Sequence, residues 1–328
     1  MNTDRLLSSL IIEALNALPV PSRPKSLYDP VCYTLGLGGK RIRPKLVMIG
    51  CGMCGGDPRQ AVNAALAVEL LHNFTLIHDD IMDQASSRRG KPAVHVRWDT
   101  NVAILSGDVM FNMAFQQLNH YTPENGFPPE LFGQLHHIFS EATRIVCEGQ
   151  ALDMEFETAL EVDLDDYIHM ISCKTAALLD ASLKMGALIA GANSETVETI
   201  GRLGLEAGIA LQIQDDLLDA VADPDKFGKR VGGDIYEGKK TWLSIEALKR
   251  AQPEEKSRIL AILQNFSCTE EDVRFVVDAY EKLGVLADSE EAIKNHYISC
   301  LSALRHFEDS AYKQAILHLI ETLRDREN

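Results

Sequence analysis

The chain is 328 residues long, 46% hydrophobic and 24% charged, which is apolar material enough for one large core or two smaller ones. A net charge of −16 and a pI near 5.0 exclude a general nucleic-acid surface and an anionic-membrane surface, since both need a basic face. Any anionic ligand has to be held by local cations against the field of the whole chain. Seven scattered cysteines, Cys32, Cys51, Cys54, Cys147, Cys173, Cys268 and Cys300, follow no disulfide framework. CGMC at 51–54 has no second pair after it, so thiols in a reducing, cytoplasmic compartment are expected.

The N-terminal stretch MNTDRLLSSLIIEALNALPVP carries an apolar run too short and too interrupted to span a bilayer; it reads as an amphipathic first helix, not a signal peptide. GGKRIRP at 38–44 is a flexible, basic lead-in to the next helix. From Asp57, an N-cap followed by Pro58 at the first helical position, DPRQAVNAALAVELLHNFTLIHDDIMD runs to Asp83 with no interrupting Gly or further Pro. SSRRGKP at 86–92 reads as a loop, AVHVRWDTNVAILSGDVMFNMAFQQLNHY as mostly helix, and YTPENGFPPE at 121–130 as a breaker. Three long helical segments follow: LFGQLHHIFSEATRIVCEGQALDMEFE, DLDDYIHMISCKTAALLDASLKMGALIAGA, and NSETVETIGRLGLEAGIALQIQDDLLDAV with its N-cap and capping-box-like Glu. A Gly-rich, charged, loop-like interval at 223–241 precedes shorter amphipathic helices. Almost nothing alternates like a strand and no low-complexity linker divides the chain. The expectation is all-α: one large domain over 1–328, an enlarged helix bundle around a central cavity.

TLIHDDIMD at 75–83 places Asp79, Asp80 and Asp83 inside an otherwise apolar helix, and LQIQDDLLD at 211–219 repeats the arrangement with Asp215, Asp216 and Asp219. Residues i and i+4 of a helix share a face about 5.4 Å apart, so Asp79 pairs with Asp83 and Asp215 with Asp219, while Asp80 and Asp216 are rotated off that line. Ionised acids in apolar helices need a cation. If the two helices face each other, their hard oxygen ligands suit Mg²⁺ with substrate phosphate and water; a calcium hand is disfavoured, because the spacing is helical and the glycine-containing loop is missing. Basic residues supply a counterpart. Lys40, Arg41 and Arg43 follow a Gly pair, Arg88 and Arg89 come just after the first acid motif, and Lys174–Thr175, Lys229–Arg230 and Lys239–Lys240 lie in the second half. Carboxylates, metal and cations together point to diphosphate chemistry.

The stretches GGKRIRP, HNFTLIHDDIMDQASSRRG, GQALD, KTAAL, LQIQDDLLD and GKRVGGDIYEGKKT occur in an order that resembles the all-trans polyprenyl diphosphate synthase family, which includes farnesyl and geranylgeranyl diphosphate synthases. The resemblance implies an all-α isoprenoid-synthase fold, a homodimer, and three Mg²⁺ ions per site, replaceable by Mn²⁺. It also implies chain elongation: the double bond of isopentenyl diphosphate attacks the ionised allylic diphosphate (dimethylallyl, geranyl or farnesyl) and a proton is lost to the departing diphosphate. Carried over by position, Asp79, Asp83 and Asp215 are the metal ligands, assisted by Asp80, Asp216 and Asp219. Arg88, Lys174, Gln212 and Lys239 hold the allylic diphosphate, Thr175 lines its site, and Lys229 and Arg230 compete for one further family lysine position. Lys40, Arg43, His72 and Arg89 hold isopentenyl diphosphate; His72 stands seven residues, about two turns, before Asp79 on the same face. Phe74, with its smaller neighbour Thr75, is the expected floor for the growing chain. One aromatic and no insertion at this place resemble geranylgeranyl synthases of the archaeal type, with a farnesyl product the alternative and longer chains next.

Two other readings fit less well. A terpene cyclase carries a different second metal motif and has no use for a second diphosphate site at GGKRIRP. A non-catalytic partner subunit predicts damaged aspartate motifs, and both are intact here.

Overall fold

The computed structural model describes residues 3–159, 161–221, 232–265 and 267–324, and these are helical almost throughout. In chain order the helices are α1 Thr3–Ala17, α2 Lys25–Gly36, α3 Ile42–Met53, α4 Val62–Met82, α5 Val94–Arg97, α6 Thr100–Leu118, α7 Leu131–Thr158 and α8 Leu164–Ile171. They continue as α9 Ala177–Ile189, α10 Ser194–Val221, α11 Gly233–Tyr236, α12 Trp242–Arg250, α13 Pro253–Leu263, α14 Glu270–Lys282, α15 Val285–Leu304 and α16 Ala311–Arg324. Among the described residues the only strands are β1 Ser87–Arg88 and β2 Lys91–Pro92. The fold is all-α.

The helix boundaries have local causes. Asp57 accepts from the Arg59 N–H (3.0 Å), as an N-cap does, yet it caps a 3₁₀ turn, Pro58–Ala61, and α4 begins after it. The segment that reads as one helix around residue 98 is two: Asp99 turns the chain and caps α6 by accepting from the Val102 N–H (2.8 Å). Asp163 and Asn193 do the same for α8 and α10, accepting from Asp166 and Thr196. Between α8 and α9, in place of the unbroken helix that the periodicity predicts, Ser172–Ala176 form a π turn. Of the loop-like interval after the second acid motif, residues 222–231 lie outside the described residues, and 233–236 form the short α11.

By packing, the chain divides into two compact units, each drawn from three stretches of sequence. The first comprises Met1–Thr143, Ala181–Gly201 and Phe307–Ile316. Its centre is α4 lying along α6, with α1 and α3 against α4, and α2 and α5 against α6. Ala64, Ala67, Val68, Leu70, Leu71 and Ile77 of α4 and Ala103, Met110, Ala114 and Leu118 of α6 are buried, the small alanines letting the two backbones approach. Each large side chain among them contributes roughly 1.5–3 kcal/mol by leaving water. The second unit comprises Arg144–Asp180, Arg202–His306 and Leu317–Asn328. In it α12 packs against α8, α13, α14 and α15, burying Leu243, Val276, Tyr280 and Cys300. All seven cysteines are free thiols. Among the described residues no helix is long and apolar enough to cross a membrane.

Tyr121, fully buried, ties down the start of α4: its hydroxyl accepts from the Ala64 N–H (2.9 Å) and donates to the Gln60 carbonyl (3.0 Å). Tyr121→Phe leaves both backbone groups without that partner and should lower the unfolding free energy by about 1–3 kcal/mol, read from chemical denaturation.

Candidate active site

The first acid motif stands at the C-terminal end of α4. Asp79 and Asp80 are in its last turn, and Asp83 is the C-cap, its N–H donating to the Asp79 carbonyl (2.9 Å). This is the negative end of the helix dipole, and α4 has no basic residue in its last turn. The neutralising charge arrives instead from β1. Arg88 donates through Nε to Asp80 Oδ1 (2.8 Å), through a guanidinium nitrogen to the same oxygen, and to Asp79 Oδ2 (3.3 Å). Asp80 is buried; burial pushes its pKa up, against the hydrogen bond and charge of Arg88. Asp80 is therefore the anchor of Arg88, while Asp79 and Asp83 are half-buried beside it.

SSRRGKP, which reads as a loop, is a hairpin. β1 and β2 pair antiparallel, Ser87 opposite Pro92 and Arg88 opposite Lys91. The two turn residues, Arg89 and Gly90, both have positive φ (52° and 71°), as a type I′ turn requires. That geometry sends neighbouring arginines to different partners. Arg88 meets the acids, and Arg89 donates to the Gly38 carbonyl, its guanidinium lying 2.7–2.9 Å from where a Cβ on Gly39 would stand. A side chain at position 39 would push that guanidinium aside.

Arg89 thereby joins Lys40, Arg43 and His72 in the lining of a cavity of about 500 Å³; all four residues expected to hold one diphosphate are gathered there. Arg41, in the left-handed region (φ 50°), lines the same cavity with Glu69 but is already engaged. It pairs with buried Glu69 and donates to the Leu35 carbonyl (2.7 Å). Glu69 also accepts from Asn73 Nδ2 (2.6 Å). Burial and then the charges of Arg43, Arg89, Arg88 and Arg41 hold the His72 pKa well below the usual histidine range, so the ring is neutral. Arg43 can only donate, so its 3.2 Å contact makes His72 Nε2 the acceptor and leaves the ring proton on Nδ1. The cavity is electropositive within an acidic chain.

In the second unit, Asp215, Asp216 and Asp219 occupy the last two turns of α10, again with no basic residue in the last turn. Asp215 is exposed and Asp216 buried. Asp216 accepts from the Tyr167 hydroxyl (2.6 Å) and Gln212 Nε2 (2.9 Å), and Gln212 Oε1 accepts from Thr175 (2.8 Å). The Gln212 amide, expected to meet diphosphate, thus bridges Thr175 to Asp216. Asp219 Oδ2 accepts from the Asp234 N–H (2.8 Å). Burial first, then the nearby carboxylates, push Asp216 up to about 7 and Asp234 well above the usual range. Lys174 pairs with Asp153, and Lys239 with Glu237 (2.8 Å). Lys229 lies outside the described residues.

Sequence reasoning misses several residues with a part in this architecture: Asp153, Tyr167, Asp234 and Glu69. Asp153 and Asp234 stand in GQALD and GGDIYEG, so motif order is the available signal; Tyr167 and Glu69 look like ordinary helix residues. Phe74 meets His78 (ring centroids 4.7 Å) and Phe111 of α6 (5.2 Å), and the line of rings continues to Phe115 and Phe139. The Thr75 hydroxyl donates back to the His72 carbonyl (2.8 Å).

Hard oxygen donors crowded at helix C-termini, with carboxyl groups raising one another's pKa, fit a divalent cation. Among the described residues no three acidic, histidine or cysteine side chains are converged to hold an ion by themselves.

The family described as polyprenyl synthetase matches residues 24–280. A short chain isoprenyl diphosphate synthase of Methanothermobacter thermautotrophicus is 37% identical over 305 residues, 93% of this chain and 92% of that one. A geranylgeranyl diphosphate synthase of Methanosarcina mazei is 36% identical over 324 residues, 98% and 96% of the two chains. The crystal structure of a geranylgeranyl pyrophosphate synthetase from Pyrococcus horikoshii superposes with a TM-score of 0.92 at 37% identity, covering 99% of this chain and 97% of that one. The chain belongs to the polyprenyl synthetase family and is a prenyltransferase.

A histidine kept neutral by its fold makes stability depend on pH. The unfolded ring takes a proton below about 6.5 and the folded one does not, so unfolding free energy should fall as pH drops below that value. His72→Gln should flatten this part of the profile, measured by denaturant melts at a series of pH values.

Proposed function

We propose that this polyprenyl synthetase family member is a Mg²⁺-dependent short-chain all-trans prenyl diphosphate synthase that joins isopentenyl diphosphate to allylic diphosphates and stops at geranylgeranyl diphosphate. The observation that carries the reading is on α4: an electropositive cavity around His72 and, two turns later, an acid-bearing helix end. One holds a diphosphate with protein cations alone; the other suits a diphosphate that brings metal. A transferase joining two diphosphates needs both.

On this reading Lys40, Arg43 and Arg89 hold isopentenyl diphosphate, with neutral His72 orienting Arg43 through Nε2. Lys174, Thr175 and Lys239, with Arg88, meet the allylic diphosphate, and Gln212 sets Thr175 against Asp216. Asp79, Asp83 and Asp215 are the oxygen donors for Mg²⁺, Asp80, Asp216 and Asp219 their supports. Held there, Mg²⁺ would supply positive charge to the diphosphate as the allylic carbon–oxygen bond breaks and its electron pair leaves on oxygen. The π electrons of isopentenyl diphosphate form the new carbon–carbon bond, and the proton then lost passes to the departing diphosphate. No covalent nucleophile is required; positioning and fixed charge carry the rate. The free thiols suit a cytoplasmic enzyme, and the exposed apolar side chains Ile104 and Leu105 on α6 and Phe132 on α7 suit a homodimer contact.

Phe74 sets product length. It stands five residues before Asp79, about 7.5 Å down the axis, and is braced edge-on by Phe111 and His78. Leu70 and Leu71, about one turn deeper on α4, are fully buried in the helix packing. The ring line leads across to α6, so Phe111 is the next barrier.

Incubation with labelled isopentenyl diphosphate and farnesyl diphosphate, followed by chromatography of the dephosphorylated alcohols, should show a twenty-carbon product that disappears on chelation of Mg²⁺. Phe74→Ala should lengthen it, and adding Phe111→Ala should lengthen it further. No incorporation by the folded protein contradicts the function; an unchanged length in Phe74→Ala removes Phe74 as the floor.

A further inference from the structure

GQALD, residues 149–153, lies on α7 beside the π turn Ser172–Ala176 that carries Lys174 and Thr175. A π turn interrupts the regular helical ladder and persists only where its surroundings hold it. Two glycines touch it from two helices. A Cβ on Gly149 of α7 would overlap the Lys174 backbone nitrogen and come within 2.6 Å of its Cα. A Cβ on Gly208 of α10 would come within 2.5 Å of the Ala176 Cα. Each helix therefore reaches the turn's backbone at the one residue type that fits.

One helical turn beyond each glycine, on the same face, stands a side chain that receives one from the π turn. Four residues after Gly149, Asp153 takes Lys174 Nζ; four after Gly208, Gln212 Oε1 accepts from Thr175 Oγ1 at 2.8 Å. The two contacts diverge to different helices, as neighbouring residues about 100° apart around an axis must. Backbone clamp and side-chain receiver thus repeat, once on α7 and once on α10.

We propose that Gly149 and Asp153, together with Gly208, are positioning residues: they fix the π turn so that Lys174 and Thr175 are presented together to the allylic diphosphate. This rests on the reading that Lys174 and Thr175 meet that substrate. It gives GQALD a role through Lys174, without contact with either substrate. An ordinary packing role for the glycines predicts loss of stability with no preference between substrates; the clamp predicts a preference.

The test is steady-state kinetics of full-length Gly149→Ala, Gly208→Ala and the isosteric Asp153→Asn, each checked for fold by circular dichroism, varying geranyl diphosphate and isopentenyl diphosphate in turn. The KM for geranyl diphosphate should rise about tenfold or more, with that for isopentenyl diphosphate changed by less than about twofold. In a Lys174→Ala background, Gly149→Ala or Asp153→Asn should add less than about a further twofold, because the effect runs through Lys174. Asp153→Asn introduces no clash and reads the same claim if an alanine variant fails to fold. Equal rises in both KM values, or losses that multiply in full with Lys174→Ala, overturn the inference while leaving the proposed function standing. A wild-type protein that joins no substrates overturns the proposed function, and this inference with it.

Discussion

Carboxylates placed at the C-terminal end of a helix face the negative pole of the aligned peptide dipoles, and both acid motifs stand there without a basic residue in the same turn. Such an arrangement costs free energy in the bare protein, and each motif meets that cost differently. At α4, Arg88 comes over from the hairpin and pairs with Asp80 and Asp79, so that a buried carboxylate keeps a cation. At α10, hydrogen bonds from Tyr167 and Gln212 share the load on Asp216, and its pKa still climbs because burial outweighs them. A divalent cation bound at either motif would relieve what remains. Stability and function pull in opposite directions at these helix ends, as they do at many sites that bind charge.

The cation cluster in the first unit is the mirror case. Arg41, Arg43, Arg89 and Lys40 crowd one cavity, with Glu69 engaged by Arg41 and His72 driven neutral by burial and its neighbours. Mutual repulsion is eased by sending Arg41 to Glu69 and aiming Arg89 at a backbone carbonyl, while Arg43 rests on a ring nitrogen. The remaining positive potential is concentrated where an anion can reach it. Within a chain of net charge −16 this positive potential is local, set by neighbouring side chains against the field of the whole.

The helical period, the capping residues and the spacing of the two aspartate motifs are legible in the sequence because each is a local pattern with one physical solution. Asn193 caps where a short polar side chain before an apolar run should, whereas Asp99 caps within a stretch whose periodicity reads as one helix. The type I′ turn at Arg89–Gly90 is not legible, because an arginine seldom adopts positive φ and takes it here for the sake of contacts made far away in sequence. The left-handed Arg41 and the π turn at Ser172–Ala176 are hidden for the same reason: tertiary packing overrides local preference at both. Charge alone also leaves the division of roles within each basic pair open. Arg88 and Arg89 are chemically identical, and only the hairpin register separates the one that neutralises acids from the one that lines the cavity. Asp153 belongs to GQALD, whose place in the motif order is plain, but its role depends on a neighbouring helix that no spacing rule reaches.

If protein cations alone serve one diphosphate while the acid-bearing helix ends serve the other through metal, the two substrates must differ in their need for Mg²⁺. Isothermal calorimetry of isopentenyl diphosphate and of geranyl diphosphate, each titrated with Mg²⁺ present and with Mg²⁺ chelated, measures that difference. Isopentenyl diphosphate should bind with similar affinity in both conditions, and geranyl diphosphate binding should be lost without Mg²⁺. Loss of isopentenyl diphosphate binding on chelation, to the same extent as geranyl diphosphate, would contradict this division between the two sites.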